Sequence, residues 1–350
     1  MQLQEKLESH YKKQLPFVCY RKPNQKTLKA CFCSSDQLFY TDSFTEEGFV
    51  FAPFDDRKKA IVFLKDTSEW MQTDLGLLQK TTSSGAYQVV PYEAKVHQEL
   101  VAKGIKAIQQ GRFQKVVLSR KEEVHLSSFD VLSVFSKMLD LYANAFVYVW
   151  YHPKVGLWMG ATPERLVSLE KNQFVTMALA GTQMFEGNEH PEWGEKERRE
   201  HQYVVDYIVS QIQHPANGIL LNHFEVSETY TSRAGNLLHL KADIRGEMNQ
   251  FNLKDLLQTL HPTPAVCGLP KEEAKEFILE HENYDRSFYT GFLGEMNVAK
   301  QTELFVNLRC AEFQGNQAKI YVGGGITQES EVQKEWEETV AKTQTIQNVL

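Results

Sequence analysis

Short runs of aromatic and β-branched residues recur along this chain, and helical segments fall between them without regular alternation, which limits the folds open to it. The first fifteen residues are amphipathic, with Leu3, Leu7, Tyr11 and Leu15 on one side of a helix. Leu38-Phe39-Tyr40 and Phe49-Val50-Phe51-Ala52, bounded by polar turns, read as antiparallel strands. Further strands are predicted over 115–119, 145–150, 157–160, 304–310 and 319–322, and helices over 92–110, 129–141, 195–213, 253–260, 271–281 and 331–347. Regular strand–helix alternation would point to a doubly wound parallel sheet; this order favours an α+β fold with mainly antiparallel sheets. A polar stretch at 81–85 reads as an organisational boundary. There is no internal repeat and no low-complexity tract.

At 350 residues, 42% hydrophobic and 24% charged, the chain can bury a large core in one domain or two. A formal charge of -7 and the lack of any Lys/Arg block argue against a nucleic-acid partner, so a small anionic ligand would need local cations or a metal. Cys19, Cys31, Cys33, Cys267 and Cys310 form neither an even disulfide set nor a Cys-x-x-Cys pattern, and reduced thiols in the cytoplasm are the expectation. The N-terminus lacks a signal-peptide apolar stretch, and no run is long enough to span a membrane.

Two Glu-x-x-Glu pairs, Glu197/Glu200 and Glu335/Glu338, lie on helical segments, where a spacing of three puts both carboxylates on one face. Tyr203, Val204, Tyr207, Ile208 and Ile212 supply the apolar stripe of the first helix. In the second, Ser330 and Gln333 match a capping box, Trp336, Val340 and Ile346 are the expected buried side, and Lys342 continues the glutamate face. Either pair alone reads first as a solvated helix face. Together they suit Mg²⁺, which takes one or two carboxylates and keeps water or substrate oxygens in its other positions.

Four other segments carry chemistry. Period-2 alternation puts Lys115 on a strand face with Phe113 and Val117; burial disfavours the ammonium form, which is how a lysine becomes a usable base, although a snorkelling or paired lysine fits the segment as well. Glu164 follows Pro163 just past a predicted strand end, as a partly desolvated acid able to deliver a proton or as a surface turn residue paired with Arg165. Gly323-Gly324-Gly325 matches neither a Walker sequence nor a dinucleotide-binding turn; it is a tight turn or a place where backbone N–H groups approach an anion. Arg309, in an apolar run expected to be a strand, needs an anionic partner, either a structural carboxylate or one on a substrate.

Taken together, these segments resemble the chorismate-utilising enzymes, and among them most the isochorismate synthases. The resemblance runs from about Val96 to the C-terminus through Lys115-Val116-Val117-Leu118-Ser119-Arg120, Gly160 to Leu166, Ala178 to Thr182, Glu197 to His201, Leu238-His239-Leu240, His261 to Gly268, Tyr289-Thr290-Gly291, Arg309, Gly323 to Gly325 and Glu335 to Lys342. It implies a single α+β domain of two large, mainly antiparallel sheets packed together with helices outside. Residues 1–94 would be a variable N-terminal part of that fold, superseding a separate first domain, and 95–350 the chorismate-binding catalytic region.

By this resemblance Lys115 activates water for attack at C2 of chorismate and Glu164 protonates the departing C4 hydroxyl. Glu200 and Glu338 match Mg²⁺ ligands, supported by Glu197 and Glu335 directly or through water. Tyr289, Arg309, Lys342 and the Gly323 and Gly325 backbone match groups that bind the substrate carboxylates, and Gly181, Thr182, His239 and Ala265 match other pocket-lining positions. Ala180 stands where aminodeoxychorismate synthases of the lysine-nucleophile type carry their lysine. Anthranilate synthases use ammonia from a glutamine amidotransferase partner, and no such subunit is expected here. Cys267 departs from the small residue more usual at its position, a change expected to affect packing only. The expectation is a cytoplasmic, Mg²⁺-dependent, monomeric isochorismate synthase serving menaquinone or catechol siderophore formation. The alternatives are a salicylate synthase, which goes on to eliminate pyruvate, and a catalytically silent chorismate-binding subunit.

Overall fold

Side chains along the strand Phe146–His152 alternate between two cores: Phe146, Tyr148 and Trp150 point one way, and Val147, Val149 and Tyr151 the other. That alternation places the strand inside a sandwich with helices on its outer side. The computed structural model of the chain describes residues 2–77, 86–90, 94–235, 237–250 and 252–350. Seven helices occur among them: α1 (Leu3–Lys12), α2 (Ala94–Gln109), α3 (Val131–Leu141), α4 (Glu195–Gln213), α5 (Leu253–Leu260), α6 (Lys271–His281) and α7 (Val332–Gln347).

Two ten-stranded sheets make up the rest, and every strand pairing in the described residues is antiparallel. The first runs, in spatial order, Gly268–Leu269, Lys115–Leu126, Gln317–Ile326, Cys310–Gln314, Gly156–Thr162, Phe146–His152, Phe17–Arg21, Thr27–Cys33 and Ser68–Asp74, with Tyr87–Val89 also paired to Lys115–Leu126. The second runs Leu220–Val226, Leu237–Gln250, Gln173–Met184, Arg165–Glu170, Gln301–Val306, Phe292–Val298, Gly48–Ala52, Ala60–Leu64 and Tyr40–Thr41, with Tyr230–Ala234 on Leu237–Gln250. Strands from the first 77 residues thus belong to both sheets. The polar stretch at 81–85 lies outside the described residues.

An aromatic layer joins the sheets. Phe51 stacks on Phe288 at 4.1 Å, Phe63 on Trp150 at 5.1 Å and Phe146 on Phe305 at 4.3 Å; such pairs contribute about 0.5–1.5 kcal/mol each beyond their burial. Outside the first sheet, Leu3 and Leu7 of α1, Val131, Phe135 and Met138 of α3, and Ile346 of α7 cover Val147, Val149 and Ile320. Outside the second, Val204, Ile208 and Ile212 of α4 and Leu256 and Leu257 of α5 cover Ala178, Ala242 and Ile244. Asp130 and Asn252 cap α3 and α5 by accepting from the N–H groups of Ser133 and Lys254.

Three local expectations are corrected. The run 304–310 is not one strand: it splits between Gln301–Val306 of the second sheet and Cys310–Gln314 of the first, and Arg309 lies in the connection. At the buried Asn307 the backbone N–H donates to Gly291 O (2.8 Å) and the backbone C=O accepts from Thr290 N–H (2.9 Å), satisfying groups that a ladder would otherwise pair, while the side chain accepts from Tyr148 Oη (2.7 Å) and donates to Phe288 O (2.9 Å). Helix α7 has no Ser330 capping box; the Ser330 hydroxyl accepts from Thr327 N–H instead, and Glu331 precedes the first turn. Its buried face is Glu335, Thr339 and Thr343 with Ile346, whereas Val340 is exposed. Polar residues fit there because Thr339 Oγ1 accepts from the buried Arg120 Nε at 2.9 Å, with the Arg120 guanidinium 4.5 Å from the Trp336 ring centre.

Candidate active site

Two chain segments cross between the sheets side by side. Residues 163–164 lead from Gly156–Thr162 to Arg165–Glu170, and residues 307–309 lead back from Gln301–Val306 to Cys310–Gln314. Val306 N–H donates to Glu164 O at 2.9 Å, Ala161 N–H donates to Arg309 O at 3.0 Å, and Thr162 Oγ1 donates to Val306 O at 2.6 Å. Pro163 fixes the backbone at the first crossing. Arg309 has a left-handed φ of 49°, a conformation that costs a non-glycine residue roughly 1–3 kcal/mol and is kept where neighbours over-determine it. Glu164 and Arg309 therefore face one cleft from adjacent, mutually bonded segments.

Lys115 opens its strand fully buried, and Val117, on the same face, lines the cleft. Phe113, expected on that face, precedes the strand and packs on Phe277 instead. Lys115 Nζ lies 3.0 Å from Glu200 Oε1 but makes no directed hydrogen bond among the described residues. Gly325, on the neighbouring strand, makes that approach possible: a Cβ there would collide with Glu200 Oε1 and lie 3.0 Å from Lys115 Cε. Arg165 pairs with Glu303 at 3.1 Å, which leaves Glu164 without it.

Helices α4 and α7 bring the glutamates together in part. Glu200 and Glu338 line the cleft. Lys342 Nζ donates to Glu338 Oε1 (2.6 Å) and to Gly323 O (2.9 Å). Glu335 is buried behind Gly324, ion-paired through Oε1 with Lys196, while its Oε2 is buried with no hydrogen-bond partner among the described residues. Glu197 does not reach the cleft wall: its Oε2 folds back over Gly194, in the space a Cβ would occupy, and its backbone packs against Gly181. Among the described residues no three carboxylate, imidazole or thiol groups stand as a ready ligand cluster. The donor chemistry still fits a hard divalent cation: carboxylates only, one of them with an orphaned buried oxygen.

The remaining expected residues converge. Gly181, Thr182, His239, Ala265, Tyr289, Arg309, Gly323, Gly325 and Lys342 all line one cavity of about 660 Å³, counting its open side, and Ala180 lies in its wall. His239 Nδ1–H donates to Gly181 O at 2.9 Å, leaving Nε2 to accept from Arg309 Nη2 at 3.4 Å. Burial, followed by the Arg309 charge, pushes His239 down to about 3, so it faces Arg309 as a neutral acceptor. Arg309 makes no ion pair among the described residues, only these long contacts to His239 and, at 3.4 Å, to Thr345 Oγ1. Burial pushes Glu164 up to about 8 against the opposing pull of Lys115, Arg309 and Lys342. Burial works most strongly against the Glu338 carboxylate, but the charge and hydrogen bond of Lys342, together with the Lys196 charge, hold the group below the usual range. For Glu335, burial and then Glu338 raise the pKa. The cleft thus pairs an acid kept neutral near pH 7 with a guanidinium that makes no ion pair among the described residues, an arrangement suited to an anionic substrate that needs a proton.

Several positions in or beside the cleft were not singled out by the sequence reading. Thr290, Leu308 and Tyr321 line the cleft, and Tyr321 stacks on Tyr289 at 5.5 Å. Lys196, next to Glu197 in sequence, reaches Glu335 on another helix. No local spacing signals a contact made only when α4 meets α7.

A sequence model described as "Chorismate binding enzyme" matches residues 50–350. The chain is 29% identical to the isochorismate synthase MenF of Escherichia coli over 261 residues, covering 72% of this chain and 59% of that protein. It is 31% identical over 269 residues to the salicylate biosynthesis isochorismate synthase of Pseudomonas aeruginosa, covering 74% and 54% respectively. The chain thus spans little more than half the length of these two relatives. A solved Bacillus anthracis structure, provisionally named the 2,3-dihydroxybenzoate-specific isochorismate synthase DhbC, superposes with a TM-score of 0.82 at 26% identity over 99% of both chains. The two antiparallel sheets and their outer helices are the fold of that neighbour, and the chain belongs to the chorismate binding enzyme family.

Proposed function

We propose that this protein converts chorismate to isochorismate, with a product that serves menaquinone or catechol siderophore formation. The observation that carries the reading is Glu164: a glutamate buried at the sheet crossing, with a pKa pushed up to about 8, in the same cleft as Arg309, which makes no ion pair among the described residues. A carboxyl that stays protonated at neutral pH is what departure of a hydroxyl requires. Lys115 takes a proton from water as the water oxygen bonds to C2, the ring double bonds shift, and the C4–oxygen bond breaks as Glu164 supplies the proton that makes the leaving group water. One water enters and one leaves, and proton exchange with solvent restores both side chains. Arg309, Lys342 and the Tyr289 hydroxyl hold the substrate carboxylates. Mg²⁺, held by Glu200 and Glu338 with support from Glu335, and from Glu197 only through water, would supply positive charge for the ring carboxylate. Ala180 offers no nucleophile for covalent capture at C2.

Incubation with chorismate and Mg²⁺, with the products separated, tests the reading. Isochorismate without pyruvate supports it. Salicylate with pyruvate identifies a salicylate synthase, and no turnover identifies a silent binding subunit. Full isochorismate formation by Lys115→Ala or Glu164→Gln would overturn the assigned roles even within the right reaction.

A further inference from the structure

Behind the cleft, outside its lining, sits a buried ion pair that the chemistry above does not use. Arg286 and Glu282 have side chains 2% and 1% exposed. Arg286 Nε donates to Glu282 Oε2 at 2.7 Å and Nη2 to Glu282 Oε1 at 2.6 Å, a fork-on-fork pair. The other N–H groups reach three separate parts of the cleft wall. Nη2 donates to Val117 O (2.7 Å), two residues beyond Lys115. Nη1 donates to Val266 O (2.9 Å), beside Ala265, and to Thr290 Oγ1 (3.3 Å), beside Tyr289. All five donors of the guanidinium are engaged. Glu282 Oε1 also accepts from Ser119 N–H and Ser119 Oγ, both at 2.8 Å, and the guanidinium lies 4.5 Å from the Phe54 ring centre.

We propose that Arg286, locked by Glu282, is the positioning residue of this active site: one guanidinium sets the spacing between the Lys115 strand, the Ala265 loop and the Tyr289 turn. The inference rests on the isochorismate synthase reading of the cleft. Val117, Val266 and Thr290 all line the cavity, whereas Arg286 and Glu282 do not, so their effect on substrate passes through the wall. Thr290 has a left-handed φ of 60°, and Arg286 is among the contacts that hold it. An ammonium has three donors and no fork, so lysine keeps the charge but cannot serve the same acceptors.

The test is Arg286→Lys, with Glu282→Gln as the second variant should the first fail to fold. Kinetics with chorismate are combined with amide hydrogen exchange. Exchange is expected to rise about tenfold or more in 115–119, 265–268 and 286–291 while 17–21 and 146–152 stay at wild-type rates. With a misplaced wall, kcat is expected to fall and KM to rise, lowering kcat/KM about 100-fold. Uniform acceleration across the chain, unchanged exchange in the three segments, or a kcat lost in proportion to folded fraction with KM unchanged would each overturn the proposal. If the wild-type protein makes no isochorismate, the functional reading falls and exchange alone decides whether Arg286 organises the wall.

Discussion

Lys115 Nζ lies 3.0 Å from Glu200 Oε1, so the expected base and an expected metal ligand touch each other across the missing side chain of Gly325. Lys115 and Glu200 are therefore one packed unit, with no room between them for a methyl group.

Gly325→Ala tests that relationship. A Cβ would displace the Glu200 carboxylate and crowd Lys115 Cε, while the local backbone does not require glycine for its φ. We expect kcat/KM to fall roughly 100-fold, the order of loss that follows a displacement of about 1 Å at reacting groups. Circular dichroism and the thermal midpoint are expected to stay near wild type. Wild-type kinetics in the alanine variant would show that the Lys115–Glu200 approach has no role in turnover.

Glu164 gives a pH prediction with a definite sign. Its folded-state pKa, about 8, lies above the ordinary 4.5, so the fold favours the protonated form. The associated stability is fully present below pH 4.5 and is lost as pH rises through 8. Activity falls over the same alkaline limb, because the proton donor is consumed. Glu164→Gln is expected to lower kcat about 10²–10⁴-fold. It should also flatten the stability loss between pH 5 and 9, leaving the variant more stable than wild type at pH 9 by roughly a few kcal/mol. Denaturant melts at the two pH values check this; parallel pH dependence in both proteins would refute it.

Much of this was legible in the sequence, for local reasons. Helices α4, α5 and α6 begin and end where expected because their stripes and flanking residues are contained in the segment itself. Lys115 and Glu164 stand out in the sequence because a charge among strand residues, or just past Pro163, is a local anomaly, and the structure buries both. The split of 304–310 was not legible: Leu304 to Leu308 is equally apolar whether it continues one strand or changes sheets, and the change depends on Asn307 meeting Tyr148 and Phe288 from elsewhere in the chain. The buried face of α7 was misjudged for the same reason, since Thr339 is buried against Arg120 of another element.

Arg309 and His239 form the next test. The guanidinium has only 3.4 Å contacts to His239 Nε2 and Thr345 Oγ1, so its strongest bonds are left for a ligand. Arg309→Lys is expected to raise KM roughly 10–100-fold, the scale of a lost charge-assisted hydrogen bond, with a smaller effect on kcat. His239→Ala removes an acceptor that orients Arg309 and should raise KM by less. Because His239 is held near pKa 3, its loss should leave the pH profile between 6 and 9 unchanged. A shifted profile in the alanine variant would mean that His239 titrates in the working range.

The four glutamates can be ranked by where their carboxylates lie. Glu200 and Glu338 line the cleft, Glu335 is behind Gly324 with one oxygen unpartnered among the described residues, and Glu197 folds back over Gly194. Chelation of divalent cations is expected to abolish turnover, and added Mg²⁺ to restore it. Calorimetric Mg²⁺ binding should weaken most in Glu200→Gln and Glu338→Gln, less in Glu335→Gln and least in Glu197→Gln. Loss of a direct carboxylate ligand should cost at least about tenfold in affinity, since even outer partners of metal ligands cost 10–100-fold when removed. Equal weakening by Glu197→Gln and Glu338→Gln would mean that Glu197 leaves Gly194 and joins the inner ligands, and that the first turn of α4 rearranges when the metal binds.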